Sequence, residues 1–159
     1  MSRTSPELLA RLDQLIEDIR ALHSRLVLLV GAPNTGKTSV LRAFGERVGL
    51  SPLNIGAELG RRLAGIPHRQ RHLQVASILR ELADSHAPGE LLLVDNIELL
   101  FDPALQLDPL DILKRHARSR GVVAVWPGAL SDGRLTYAEM GHPERRDYGT
   151  EAVVPLQIQ

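Results

Sequence analysis

An apolar run, Leu26-Val-Leu-Leu-Val30, leads straight into Gly31-Ala-Pro-Asn-Thr-Gly36-Lys37-Thr38. A strand that empties into two glycines at this spacing, followed by a Lys-Thr pair, constrains the chain more than its composition does. The glycines let the backbone curl until successive N–H groups point at one centre. A helix that starts there turns its positive dipole end to the same centre. The pattern is Walker A at every required position, in the strand–loop–helix setting that it needs. It predicts a cradle for the phosphates of ATP made by Gly31, Asn34, Thr35, Gly36, Lys37, Thr38 and Ser39. Lys37 would reach the β- and γ-phosphates, and the Thr38 hydroxyl would hold Mg²⁺.

The rest of the chain alternates strands with helices. Val40, Leu41, Phe44 and Val48 predict the inner face of the helix after the loop, with Gly49 as its stop. A short strand is expected at Leu53-Asn54-Ile55, then helical stretches over 57–64 and 70–84. Leu91-Leu-Leu-Val94 is continuously apolar, as a strand covered on both faces should be. Asp108-Pro109 starts a helix carrying Leu110, Ile112 and Leu113, and Gly121-Val-Val-Ala-Val125 is a fourth strand stopped by Trp126-Pro127-Gly128. Turn-rich sequence follows, and Ala152-Val-Val-Pro-Leu156 reads as a last strand, placed at an edge by Pro155. The implied class is α/β: a three-layer P-loop NTPase sandwich around a mostly parallel five-stranded sheet, an AAA+/RecA-like core without a lid domain.

Ahead of this core, Ser5-Pro6-Glu7 has the character of a helix start. Leu8, Leu12, Leu15, Ile16, Ile19 and Leu22 then recur at helical spacing opposite charged residues. Residues 1–24 are therefore expected to form an amphipathic helix preceding an NTPase domain over 25–159. That helix either packs on the sheet or binds another subunit. The 159 residues suffice for one domain with a genuine core, and a formal net charge of zero argues against a general polyanion binder. With no cysteine there are no disulfides or thiolate metal sites. The start of the chain lacks the apolar stretch of a signal peptide, so a cytoplasmic protein with no membrane partner is the expectation. His142 and the other histidines lack metal-ligand spacing, leaving nucleotide-bound Mg²⁺ as the expected metal.

The strand Leu91–Val94 ends in Asp95, which would stand beside the Walker A loop and position Mg²⁺. ATPases of the additional-strand class commonly place Glu next, to polarise the attacking water; this chain has Asn96. An amide orients water but cannot take its proton, so slow hydrolysis is expected, with Glu98 and Glu58 as alternative bases. The end of the fourth strand, where AAA+ proteins carry a polar sensor, offers Trp126, a residue for the core or for packing on nucleotide. From Leu59 to Arg80 there is no acidic residue, while the stretch holds Arg61, Arg62, Arg69, Arg71 and Arg80 with His68 and His72, and a second basic segment runs from Lys114 to Arg120. These segments suit a solvated face balanced by acids, a duplex DNA surface, or an arginine finger for a neighbour's γ-phosphate, with Arg118, Arg120, Arg145 and Arg146 as finger candidates. A small-molecule kinase ranks last, since no acceptor-binding pattern is recognisable.

Several stretches resemble one family. They are Gly31–Thr38, Asn54-Ile55-Gly56-Ala57-Glu58-Leu59, Val94-Asp95-Asn96-Ile97-Glu98 through Pro103, Ala124-Val125-Trp126-Pro127-Gly128, Leu135-Thr136-Tyr137-Ala138-Glu139 and His142-Pro143-Glu144. Together they resemble BrxF, the small P-loop protein of type 3 BREX bacteriophage-exclusion systems. The resemblance implies that Asn96 is a family trait. It also implies a bacterial cytoplasmic role in antiviral defence beside other BREX proteins. The function expected on these grounds is an ATP-binding, slow Mg²⁺-dependent ATPase or nucleotide switch acting as a homo-oligomer. The alternative is an assembly factor that binds double-stranded DNA, with nucleotide controlling its oligomeric state.

Overall fold

The structure is a computed structural model that describes residues 6–20, 25–32, 34–87, 89–137 and 146–158. Ser5, Leu22, Ala138, Glu139, His142, Pro143, Glu144 and Arg145 lie outside the described residues. The chain runs α1 (Pro6–Ile19), β1 (Leu26–Val30), α2 (Lys37–Val48), β2 (Leu53–Asn54), α3 (Ile55–Ala64), α4 (Arg71–His86), β3 (Leu91–Asp95), α5 (Pro109–His116) and β4 (Gly121–Val125). Then come β5 (Ala129–Ser131), β6 (Arg134–Tyr137), β7 (Arg146–Tyr148) and β8 (Val154–Gln157). Short 3₁₀ segments cover His68–Gln70, Ile97–Phe101 and Pro103–Leu105.

Five strands form one parallel sheet in the order β2-β3-β4-β1-β8. Side chains alternate across it. Leu26, Leu28, Val30, Leu92, Val94, Val122 and Ala124 join one core cluster with residues of α3, α4 and α5. Val27, Leu29, Leu93, Val123 and Val125 join another with α1 and α2. Strands buried on both faces account for the uninterrupted apolar runs in the sequence. Helices on both faces complete the three-layer α/β sandwich. Pro155 sits in β8, which pairs on one side only, with β1, so its missing N–H costs no ladder bond.

The leading helix packs. Leu12 and Ile19 of α1 are buried in the cluster that holds Val40, Leu41 and Phe44 of α2, and Asp13 pairs with Arg47 at 2.6 Å. Val48, expected on the inner face of α2, is 40% exposed; the helix ends there, with Gly49 left-handed and its N–H on the Gly45 carbonyl.

The stretch after β4, expected to be turn-rich, contains a second sheet. It is antiparallel, in the order β5-β6-β7. Asp132 and Gly133 both have positive φ between the paired residues Ser131 and Arg134, a two-residue hairpin turn that favours Asp-Gly. That dipeptide was the signal available in the sequence. Gly128 admits this hairpin, because a Cβ there would overlap the Thr136 carbonyl oxygen.

Candidate functional site

The parallel order carries the ends of β1, β2 and β3 to one edge of the sheet. The Walker A loop leaves β1 there, and β4 separates β1 from β3, whose last residue is Asp95. Gly31 is buried against the end of the chain: a Cβ would overlap the Ile158 carbonyl oxygen, and the Ile158 N–H donates to Val30 at 2.7 Å. Gly36 precedes α2 with φ 92° and ψ 23°, a conformation that glycine adopts without strain. Asn34 is also left-handed, at φ 64°, and the Thr35 hydroxyl donates to the Ala32 carbonyl at 2.8 Å, bracing the loop from within. Thr38 is half-buried in the first turn of α2, and Ser39 is exposed beside it.

Lys37 lies folded back. Its Nζ donates to the Gly31 carbonyl at 2.8 Å and to the Trp126 carbonyl at 3.1 Å. Burial lowers its pKa from the ordinary value of 10.5, while the negative charges of Glu98 and Asp95 act the other way. Both carboxylates thus act on the loop lysine, and Glu98 acts more strongly.

Asn96 has left-handed backbone, φ 55° and ψ 54°. Its N–H donates to the Asp95 carboxylate at 2.8 Å and its side-chain amide to Asn54 Oδ1 at 3.2 Å. That same Asn54 oxygen caps α3 by accepting from Ala57 N–H at 3.0 Å, and Gly56 N–H donates to the Asn96 carbonyl at 3.0 Å. Sequence reasoning passed over Asn54 as a site residue, although an asparagine just ahead of a helix is an N-cap signature. Glu58, in the first turn of α3, is bound to Arg61 at 3.2 Å, whereas Glu98 is exposed. Trp126 belongs to the core: it is fully buried, its Nε1–H donates to the Thr136 carbonyl at 3.0 Å, and its ring meets Phe101 and Tyr148 edge-on. Its backbone carbonyl, a feature no sequence motif signals, is what faces the loop lysine.

The basic segments are partly balanced within the fold. Arg62 pairs with Glu81, Arg115 with Asp111 at 2.8 Å and Arg120 with Asp84 at 2.6 Å, and Arg71 donates to the Ile66 carbonyl at 2.9 Å. Arg120 is therefore fixed in place and does not fit the role of a finger reaching a neighbour. Arg118 is exposed, and the side chain of Arg146 is outside the described residues.

No protein-family profile matches the chain, and no curated protein does. Among solved structures it is similar to one described as "Structure of C. elegans PCH-2", at 16% identity and a TM-score of 0.43. The likeness covers 95% of this chain and 41% of that one, so the chain spans about two fifths of that protein's length. The fold assignment stands on the strand order and the loop themselves. A parallel sheet with a Walker A loop at the end of β1, and an aspartate at the end of β3 beyond one intervening strand, is the architecture of a P-loop NTPase core.

Proposed function

We propose that the chain binds ATP with Mg²⁺ and acts as a nucleotide switch with slow hydrolysis, assembled from several copies of itself. The observation that carries this reading is the meeting, at one sheet edge, of the Walker A loop with Asp95 and Glu98, whose charges both act on Lys37. Gly31, Asn34, Thr35, Gly36 and Ser39 would wrap the phosphates with backbone N–H groups. Lys37 would exchange its two carbonyl acceptors for phosphate oxygens. Thr38 and Asp95 supply the hard oxygen donors that suit Mg²⁺.

Asn96 would orient the attacking water without accepting its proton, which makes turnover slow. Glu98 is the better placed substitute base, since Glu58 is engaged by Arg61. An arginine from a neighbouring copy would complete the site, with Arg118 an exposed candidate. The motif resemblance to BrxF supports a setting in a bacterial cytoplasmic anti-phage complex with other BREX proteins. A duplex-DNA-binding assembly factor is the lesser reading, because half of its eight motivating arginines, Arg61, Arg62, Arg115 and Arg120, are paired with carboxylates within the fold.

The test is ATP turnover per protomer against protein concentration, with sizing of the same samples and Lys37→Ala as control. Turnover that rises as copies assemble, and is lost in Lys37→Ala, is expected. A rate per protomer independent of concentration would rule out a shared site.

A further inference from the structure

The two basic segments that the nucleotide site leaves unused converge in space. Arg80, from α4, and Arg115, His116, Ser119 and Arg120, from α5 and the turn after it, line one concavity of about 260 Å³. We propose that this concavity is a second anion site, which takes the terminal phosphate of a small organic molecule.

Its position separates it from the nucleotide edge. The end of α4 leads to the start of β3 and the end of α5 to the start of β4, so the concavity lies at the opposite end of these strands from Asp95 and Trp126. At its floor Arg120 is held rigidly: its guanidinium donates to the Ala83 carbonyl at 3.0 Å and to Asp84 at 2.6 Å, and the side chain is only 16% exposed. Arg115 spends its charge on Asp111 in an exposed pair, which a multiply charged ligand can displace. Among the described residues no carboxylate pairs with Arg80.

Three arginines line the concavity with a single carboxylate, Asp84, which Arg120 already engages, and with Ser119, whose hydroxyl donates to the His116 carbonyl at 3.2 Å. Arginines contributed by α4, by α5 and by the turn after it suit the several oxygens of a tetrahedral dianion better than the two of a planar carboxylate. Ala76 and Ile112 supply an apolar wall for an organic part. The volume falls just under the ~300 Å³ where pockets for drug-sized ligands begin, which favours a small phosphorylated molecule over a whole nucleoside triphosphate.

His116 provides a built-in reporter. Its pKa lies below the ordinary 6.5 because of burial first and then Arg120 and Arg80, with Asp84 opposing them. Arg115 neighbours it on α5. A dianion seated between these groups reverses the sign of the local field, so binding should raise the His116 pKa and take up protons near neutral pH.

The experiment uses the Lys37→Ala protein, so that the Walker A loop does not compete, and titrates it with ribose 5-phosphate by calorimetry. The His116 ring resonance is followed in parallel. Binding is expected, with the His116 titration moved upward. Replacing Arg80 and Arg115 together by serine should weaken it at least about tenfold, the loss of one charge-assisted contact or more. The same pair of serines in a chain with Lys37 intact should leave ATP affinity unchanged. No binding, or binding indifferent to the two serines, overturns the site. Inorganic phosphate binding as tightly as the sugar phosphate overturns the organic ligand. Duplex DNA that binds more tightly through the same arginines transfers the site to a nucleic-acid surface and overturns the small-molecule assignment.

Discussion

Asn96 occupies the left-handed region, which costs most L-residues about 1–2 kcal/mol and which asparagine tolerates better than most. A glutamate there would carry that strain and give up the bond to Asn54, so the amide at this position suits the backbone as well as the water. Asn96→Ala should therefore lower stability by about 1–2 kcal/mol, from strain and the lost bond together. Asn96→Gly, free of the strain, should cost less, and denaturant midpoints of the two variants decide. Equal losses would mean that backbone strain plays no part. The sequence made the missing carboxylate legible but not this conformation. The left-handed residue is tied to a segment distant in the chain, through Gly56 N–H on the Asn96 carbonyl, and no local pattern announces such a bond. The folded-back Lys37 was hidden for the same reason, since one of its acceptors is the Trp126 carbonyl, far along the chain.

The small sheet β5-β6-β7 joins the sandwich through aromatic rings. Every aromatic residue except Phe44 gathers there: Phe101 stacks on Tyr137 at 3.8 Å between centroids and meets Trp126 edge-on at 5.5 Å, and Trp126 meets Tyr148 at 5.8 Å. Phe101 closes the 3₁₀ segment that follows Asp95 and Asn96, and Trp126 follows β4, so the cluster connects two sheet-edge segments of the nucleotide site to the hairpin. The long parallel strands were readable because burial on both faces leaves them uniformly apolar. The short strands of the hairpin were not, because with one covered face and few residues each they resemble turns. Trp126 is the chain's single tryptophan, and its own carbonyl holds Lys37. ATP drawing Lys37 onto its phosphates would remove that bond and alter the surroundings of the indole. A change in intrinsic fluorescence on adding ATP is expected, absent in Lys37→Ala. Saturable ATP binding with an unchanged emission spectrum would show that Lys37 leaves the ring undisturbed.

Across the whole molecule, the sheet has two faces and each needs a cover. α3, α4 and α5 cover one, and α2 with α1 covers the other. The 3.6-residue spacing of apolar positions made α1 legible as a helix with one apolar face, but periodicity is the same whether that face meets its own sheet or another subunit. Burial favours the first: Leu12 has no exposed surface and packs with the α2 side of the core. If α1 is part of that cover, Leu12→Ala should cost about 2–5 kcal/mol, the usual loss for a leucine removed from a packed core. Leu73, 72% exposed on α4, provides the contrast, and Leu73→Ala should stay within about 0.5 kcal/mol of the parent. Chemical denaturation of the two variants, with sizing at matched concentrations, separates the possibilities. A Leu12→Ala protein of unchanged stability that no longer self-associates would reassign α1 from the core to an interface between copies. A large loss of stability that is the same at every protein concentration would place Leu12 in the protomer's own core, because stability drawn from an interface grows with concentration.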